Sequence, residues 1–119
     1  MDINDVKDIF LKLRGSKETY PFGPDVMVFK VGNKMFGLMN SHEERPSINI
    51  KNEPVVNEML RMEYLDTIIP GYHMNKKHWN TIYIEEIDDE TTIDLINQSY
   101  LIVYDSLTKK EKEMVNIDE

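Results

Sequence analysis

VMVFKVGNKMFGLM, residues 26–39, carries the strongest fold signal in the chain. Val26–Val31 is rich in β-branched residues, and Lys34–Met39 is largely apolar. They flank Gly32-Asn33, a glycine-first pair suited to a two-residue hairpin turn. Such a turn sets Val31 opposite Lys34, Phe29 opposite Phe36 and Met27 opposite Leu38. One face then carries Met27, Phe29, Val31, Phe36 and Leu38, which we assign to the core. The other carries Val26, Val28, Lys30, Met35, Gly37 and Met39, and Gly37 opposite Val28 leaves a shallow spot beside Lys30 and Met35.

The flanking sequence extends this hairpin into a mixed architecture. Toward the N-terminus, Ile3, Val6, Ile9, Phe10 and Leu13 recur at helical spacing among charges, an amphipathic helix that stops before Gly15. Tyr20-Pro21-Phe22-Gly23-Pro24 then forms a rigid loop, because both prolines fix φ. Toward the C-terminus, Ile48 and Ile50 alternate in a third strand over 47–51. Asn52 is placed to cap a helix with Pro54 in its first turn and Val56, Met59, Leu60 and Glu63 on one face. Pro70-Gly71 marks a turn, and 80–85 alternates as a fourth strand before the acidic turn Asp88-Asp89-Glu90. From Thr91 a long helix sets Ile93, Ile96, Tyr100, Val103 and Leu107 on one face. Thr108 and Glu111 have capping-box spacing and start a short last helix. With no repeat and no linker, the expectation is one α+β domain over 1–119, an antiparallel sheet of about four or more strands packed against helices.

Composition narrows the function classes. The chain has 119 residues, 40% hydrophobic and 30% charged, which fits one globular domain. Cysteine is absent, which excludes disulfides, thiol catalysis and thiolate metal sites. No apolar run reaches the roughly 18 residues of a membrane span, and Asp2 and Asp5 do not make a signal-peptide start, so a cytoplasmic protein is expected. The net charge of −8 is unevenly distributed: residues 83–119 hold eleven acids against three lysines, whereas 21–82 holds seven of each sign. The acidic excess is therefore C-terminal, and a local basic face elsewhere is compatible with it.

That face is expected around PGYHMNKKHWNTI, residues 70–82, which contains no acid. Tyr72, His73, Asn75, Lys76, Lys77, His78, Trp79 and Asn80 supply two cations for phosphate, two rings for stacking and several polar donors. The alternative is a surface loop that Trp79 and Tyr72 anchor to the core. The segment is also one of four that carry a family resemblance. Together with Tyr20-Pro21-Phe22 and the Val28–Phe36 hairpin, and with Ser99-Tyr100 in the long helix, it resembles the MmcQ/YjbR family over nearly the whole chain. The resemblance implies a CyaY-like two-layer fold and a DNA-binding label that rests on fold analogy, a weak warrant for function.

Two binding readings follow. In the first, DNA or a phosphate-bearing small molecule meets Lys30, Tyr72, His73, Asn75, Lys76, Lys77, His78, Trp79 and Asn80. Lys76 and Lys77 take phosphates, and Trp79 stacks. Lys30 and Lys34 fall on opposite faces of the hairpin, which strains any model that uses both. In the second, a small molecule or anion occupies a pocket between the loop and the sheet, walled by Tyr20, Phe22, Lys30, Met35 and Trp79. Catalysis has little support: His73 and His78 are five residues apart, His42 lies in a polar loop, and there is no nucleophile elbow or phosphate-cradling glycine loop. No catalytic residue, metal or cofactor is assigned. The acids Glu85, Glu86, Asp88, Asp89, Glu90 and Asp94 lack the spacing of a calcium loop and suit a helix start.

Overall fold

The computed structural model describes residues 1–40 and 44–117. It is a two-layer α+β domain. Six strands form one antiparallel sheet: β1 (Lys17–Thr19), β2 (Val26–Val31), β3 (Lys34–Asn40), β4 (Ser47–Lys51), β5 (Ile68–Pro70) and β6 (Trp79–Tyr83). Their order across the sheet is β1-β2-β3-β4-β6-β5. Four helices accompany it: α1 (Ile3–Lys12), α2 (Pro54–Glu63), α3 (Asp89–Asp105) and α4 (Lys109–Ile117). The expected hairpin, third and fourth strands and helices are present. The short strands β1 and β5 are additional, since three residues between turn signals carry too little periodicity to be read.

All four helices feed one core on the same sheet face. Val6 and Phe10 of α1, Leu95, Ile96, Tyr100 and Val103 of α3, and Val115 of α4 meet Phe29, Val31, Phe36, Met39, Ile48, Ile50, Ile68 and Ile82. Leu60 and Tyr64, on α2 and at its end, pack against the same cluster. Each such side chain, removed from water, contributes roughly 1.5–3 kcal/mol. Aromatic contacts fix the centre: Phe10 stacks on Phe29 at 4.3 Å between centroids, and Phe36 meets Tyr100 edge-on at 5.3 Å.

The hairpin register differs from the expected one because β3 contains a bulge. Val31 pairs with Lys34 and Lys30 with Met35, but Phe29 pairs with Gly37, Val28 with Leu38 and Met27 with Met39. Phe36 is the extra residue, and it stays with Gly37 on the helix-covered face, as two residues opposing one do in a bulge. Beyond that point every side chain of β3 changes face. Met39 enters the core, whereas Leu38 moves to the other side and packs with Val28 and Trp79. Gly37 is opposite Phe29 rather than Val28, and it leaves no shallow spot: a Cβ there would collide with Cε1 of Phe10. An alternation pattern cannot reveal such a slip, because the bulge is set by what packs above it.

The bulge also interrupts the β3–β4 ladder, whose last pair is Gly37 with Ile50. The next partners would be Phe36 and Lys51. A side chain from the helix layer fills the gap: Ser99 Oγ accepts from Lys51 N at 2.8 Å and donates to the Phe36 carbonyl at 2.6 Å. Ser99 is fully buried, which explains a hydroxyl on the apolar face of α3.

Three smaller expectations are corrected. Asn52 does not cap α2; the cap position is Glu53, while the Asn52 side chain donates to Gln98 Oε1 at 2.8 Å. The buried residue of α2 is Asn57, and Met59 faces outward. On α3, Leu95 and Thr92 are buried where Ile93 was expected, and Ile93 is exposed. The Thr108–Glu111 box forms as expected, with Thr108 N donating to Glu111 Oε1 at 2.9 Å and Glu111 N to Thr108 Oγ1 at 3.1 Å. No helix among the described residues is long and apolar enough to cross a membrane.

Candidate functional site

With every helix on one face, the other face of the sheet is left without a helical layer. Its residues fall into cross-strand rows set by the register. Val28, Leu38, Asn49, Thr81 and Ile69 form one row, and Val26, Asn40, Ser47 and Tyr83 the next. These rows, except the fully buried Val28, are the floor of a groove of about 670 Å³, to which Phe22, Glu44, Arg45, Tyr72, His73 and Met74 contribute walls. That volume is within the 300–1,000 Å³ typical of small-ligand sites.

The wall at Tyr72–Met74 is built by the chain folding back over β6. Gly71 N donates to the Trp79 carbonyl at 2.9 Å, Met74 N to the Gly71 carbonyl at 3.2 Å, and Tyr72 N to Thr81 Oγ1 at 3.1 Å. His73 sits in the left-handed region at φ 61°, uncommon for a residue with a Cβ, and its ring lies 4.0 Å from that of Tyr72. Tyr72 and Phe22 are 68% and 64% exposed, two aromatic rings left in water at the edge of a concavity.

The floor is polar only in its middle. Thr81 Oγ1 accepts from Tyr72 N and donates to Asn49 Oδ1. The Nδ2 of Asn49 meets no acceptor among the described residues. At the other end Arg45 is tied down: Nε and Nη2 donate to Glu86 at 2.7 Å each, Nη2 also to the Asp66 carbonyl at 3.0 Å, and the guanidinium lies 3.6 Å from the centre of the Tyr83 ring. The hydrogen bond from Arg45 holds the Glu86 carboxyl below its usual range, and the same bond raises the Arg45 guanidinium.

The nine residues singled out from the sequence separate into groups. Tyr72 and His73 line the groove. Trp79 is only 6% exposed and packs on Val28 and Leu38 beneath the loop, so its ring offers no open stacking face. Asn80 is 2% exposed: Nδ2 donates to Asn57 Oδ1 at 3.1 Å and Oδ1 accepts from Arg61 Nε at 2.7 Å. Arg61 also donates to the Lys76 carbonyl, and Asn57 Nδ2 donates to the Lys77 carbonyl at 3.1 Å, so the turn is held to α2 through its backbone. Asn75 shapes that turn by accepting from Lys77 N at 3.0 Å. The side chains of Lys76, Lys77 and His78 are exposed and lie outside the groove lining. Lys30 is on the same open face, opposite Lys17 and Met35, and it too lies outside the groove. Of the five walls expected for a pocket, Phe22 alone lines it; Tyr20, Lys30, Met35 and Trp79 do not.

Asn49, Ser47, Leu38 and Val26 were not read as site residues. The period-two alternation of 47–51 does place Ser47, Asn49 and Lys51 opposite Ile48 and Ile50, a signal that one face of β4 is polar. The Lys34 side chain turns to the end of α3, where its Nζ donates to the Ser106 carbonyl at 3.2 Å. His42 lies outside the described residues. Among those described, no group of three or more histidines and acids is placed to hold a metal. The acidic run is structural instead: Asp88 caps α3 by accepting from Thr91 N at 3.0 Å, and Asp89 pairs with the N-terminal amine at 3.0 Å.

A two-layer α+β domain with helices on one sheet face and a ligand-sized groove on the other is the class that fold and site define. Comparison with known proteins gives the family: the YjbR family model matches residues 11–102, and the chain belongs to the YjbR family. It is 41% identical over 110 residues to the uncharacterized protein YbdF of Escherichia coli O157:H7, covering 92% of this chain and 89% of that protein. It is 34% identical over 91 residues to the uncharacterized protein YyaQ of Bacillus subtilis strain 168, covering 76% and 70%. The crystal structure of Deinococcus radiodurans protein DR2400 superimposes with a TM-score of 0.89 at 32% identity, over 97% of this chain and 88% of that one.

Proposed function

We propose that this protein is a small-molecule-binding module whose ligand lies in the groove on the open sheet face. The observation that carries the reading is the combination of a concave floor of Val26, Leu38, Asn49 and Thr81 with exposed Phe22 and Tyr72 at its rim. Large apolar side chains exposed around a concavity are a usual mark of a binding site. The test is a thermal-shift screen of small molecules against wild type, Val26→Trp, which fills the floor, and Lys76→Ala with Lys77→Ala. A ligand that binds only the native state raises the melting temperature in proportion to RT ln(1 + [L]/Kd). We expect hits whose shift disappears in Val26→Trp and persists in the double lysine variant. Hits that survive Val26→Trp refute the assignment.

A second reading, binding of DNA or another phosphate-bearing ligand, is favoured by the placement of cations on that same face. Lys30 stands opposite Lys17, while Lys51 pairs with Trp79 and neighbours the Asn75–His78 turn through the Asn52 N to His78 carbonyl bond at 3.0 Å. Here the lysines would meet phosphates without any ring stacking by Trp79. Titration with labelled duplex and single-stranded DNA at two salt concentrations decides it. Salt-sensitive binding lost in the double lysine variant supports this reading, and no binding at low salt retires it.

A further inference from the structure

The chemistry of the groove floor restricts what it can hold, and on the groove reading above we infer that its ligand is an uncharged planar aromatic compound whose edge carries a hydrogen-bond acceptor, received by Asn49 Nδ2. The apolar part of the floor, Val26 and Leu38, shares the groove lining with the rings of Phe22 and Tyr72, which suits a flat ring. The polar middle is selective because most of its capacity is already used. The Thr81 hydroxyl both accepts from Tyr72 N and donates to Asn49 Oδ1, so it has no proton left to give. Asn40 and Ser47 are also engaged. Asn49 Nδ2 remains as a donor without an acceptor among the described residues, and a carbonyl or ring nitrogen on the ligand would satisfy it.

Charge argues against an anion in the groove. Arg45, the one guanidinium in the lining, already serves Glu86 through two hydrogen bonds and the Asp66 carbonyl through a third. Glu44 in the same wall adds a negative charge. A ligand carboxylate or phosphate would meet a guanidinium already paired with Glu86, with the Glu44 carboxylate beside it, a poor exchange for the water it gives up. The phosphate chemistry of the second reading therefore belongs to the lysines outside the groove, while the groove itself takes a neutral ring.

Two probes of nearly equal shape separate the possibilities: 2-naphthamide, neutral with an acceptor edge, and 2-naphthoate, its anionic isostere. Affinities are measured by ligand-observed NMR for wild type, Asn49→Asp and Asn49→Ala, with circular dichroism to verify folding. Asn49→Asp keeps the oxygen that receives Thr81 and replaces the donor with a charge. We expect 2-naphthamide to bind wild type roughly tenfold more tightly than 2-naphthoate. We also expect roughly a tenfold loss of amide binding in both variants. Tighter binding of naphthoate, or amide binding indifferent to both Asn49 variants, overturns this inference while leaving the groove as a site. Failure of both probes to bind overturns it as well, and an empty small-molecule screen alongside that failure removes the groove reading with it.

Discussion

Replacing Ser99 by alanine removes one oxygen atom and leaves two strands without their bridge. Ser99 Oγ lies where the β3–β4 ladder stops, accepting from Lys51 N at 2.8 Å and donating to the Phe36 carbonyl at 2.6 Å, in a fully buried position. Alanine there leaves a buried N–H and a buried carbonyl unpaired, each at about 1–3 kcal/mol. The loss of one hydroxyl opens almost no cavity, so the packing contribution is small beside the polar one. The expected cost is about 2–6 kcal/mol, a large share of the roughly 5–15 kcal/mol that stabilises a domain of this kind. At this chain length it lowers the melting temperature by roughly 10 °C or more. Urea denaturation followed by circular dichroism measures it, with an unchanged m-value showing that the unfolded state is unaffected. Ser106→Ala is the control, because Ser106 Oγ donates to the Val103 carbonyl at 2.6 Å at the exposed end of α3 and should change stability far less. A loss for Ser99→Ala below about 1 kcal/mol would refute the reasoning. It would mean that Phe36 and Lys51 can close on each other directly, so the bulge does not depend on the serine.

Gly37→Ala forces a methyl into the Phe10 ring and should cost about 1–3 kcal/mol, with Phe10→Leu relieving part of it in a double-mutant cycle; additive losses would show that the two do not touch. Asn57→Ala breaks the buried bonds to Asn80 and to the Asn52 and Lys77 carbonyls, at about 2–3 kcal/mol, and hydrogen exchange over 75–79 should accelerate; unchanged exchange would show that α2 does not hold the turn. Glu86, Asp88 and Glu111 are held below their ordinary values by Arg45, the Thr91 hydroxyl and Thr108 N respectively. Their stabilisation is present above the unfolded-state values and is lost as pH falls through the lower folded-state values. The urea midpoint should therefore fall with acidification below about pH 4.5, and less steeply in Glu86→Gln; equal slopes would remove the Arg45–Glu86 pair from the account.

Much of this architecture is legible from local signals. Gly32-Asn33 with its two flanking runs is a hairpin for reasons contained within those residues: the turn needs a left-handed conformation, and φ is 54° at Gly32 and 70° at Asn33. Thr108 and Glu111 begin a helix because each side chain reaches the backbone N–H of the other, three residues away. The site was legible in part. Tyr72, His73 and Phe22 were visible as aromatic and polar groups in loops, but Trp79 and Asn80 have the same chemistry and are buried. Nothing local distinguishes them, because burial depends on which face of β6 meets α2 and which meets Leu38.

What the sequence by itself determined is the family, the α+β class and most of the long elements, since periodicity, caps and turns act over a few residues. The tertiary structure decided which face each side chain occupies. One extra residue at Phe36 moved Leu38 to the smaller cluster under Trp79 and Met39 into the helix-side core, because Phe10 fills the space above Gly37 and Ser99 bridges the strands beside it. The same long-range packing gathered all four helices on one side of the sheet, and so left Asn49 and Thr81, two ordinary polar residues in two ordinary strands, as the floor of a groove.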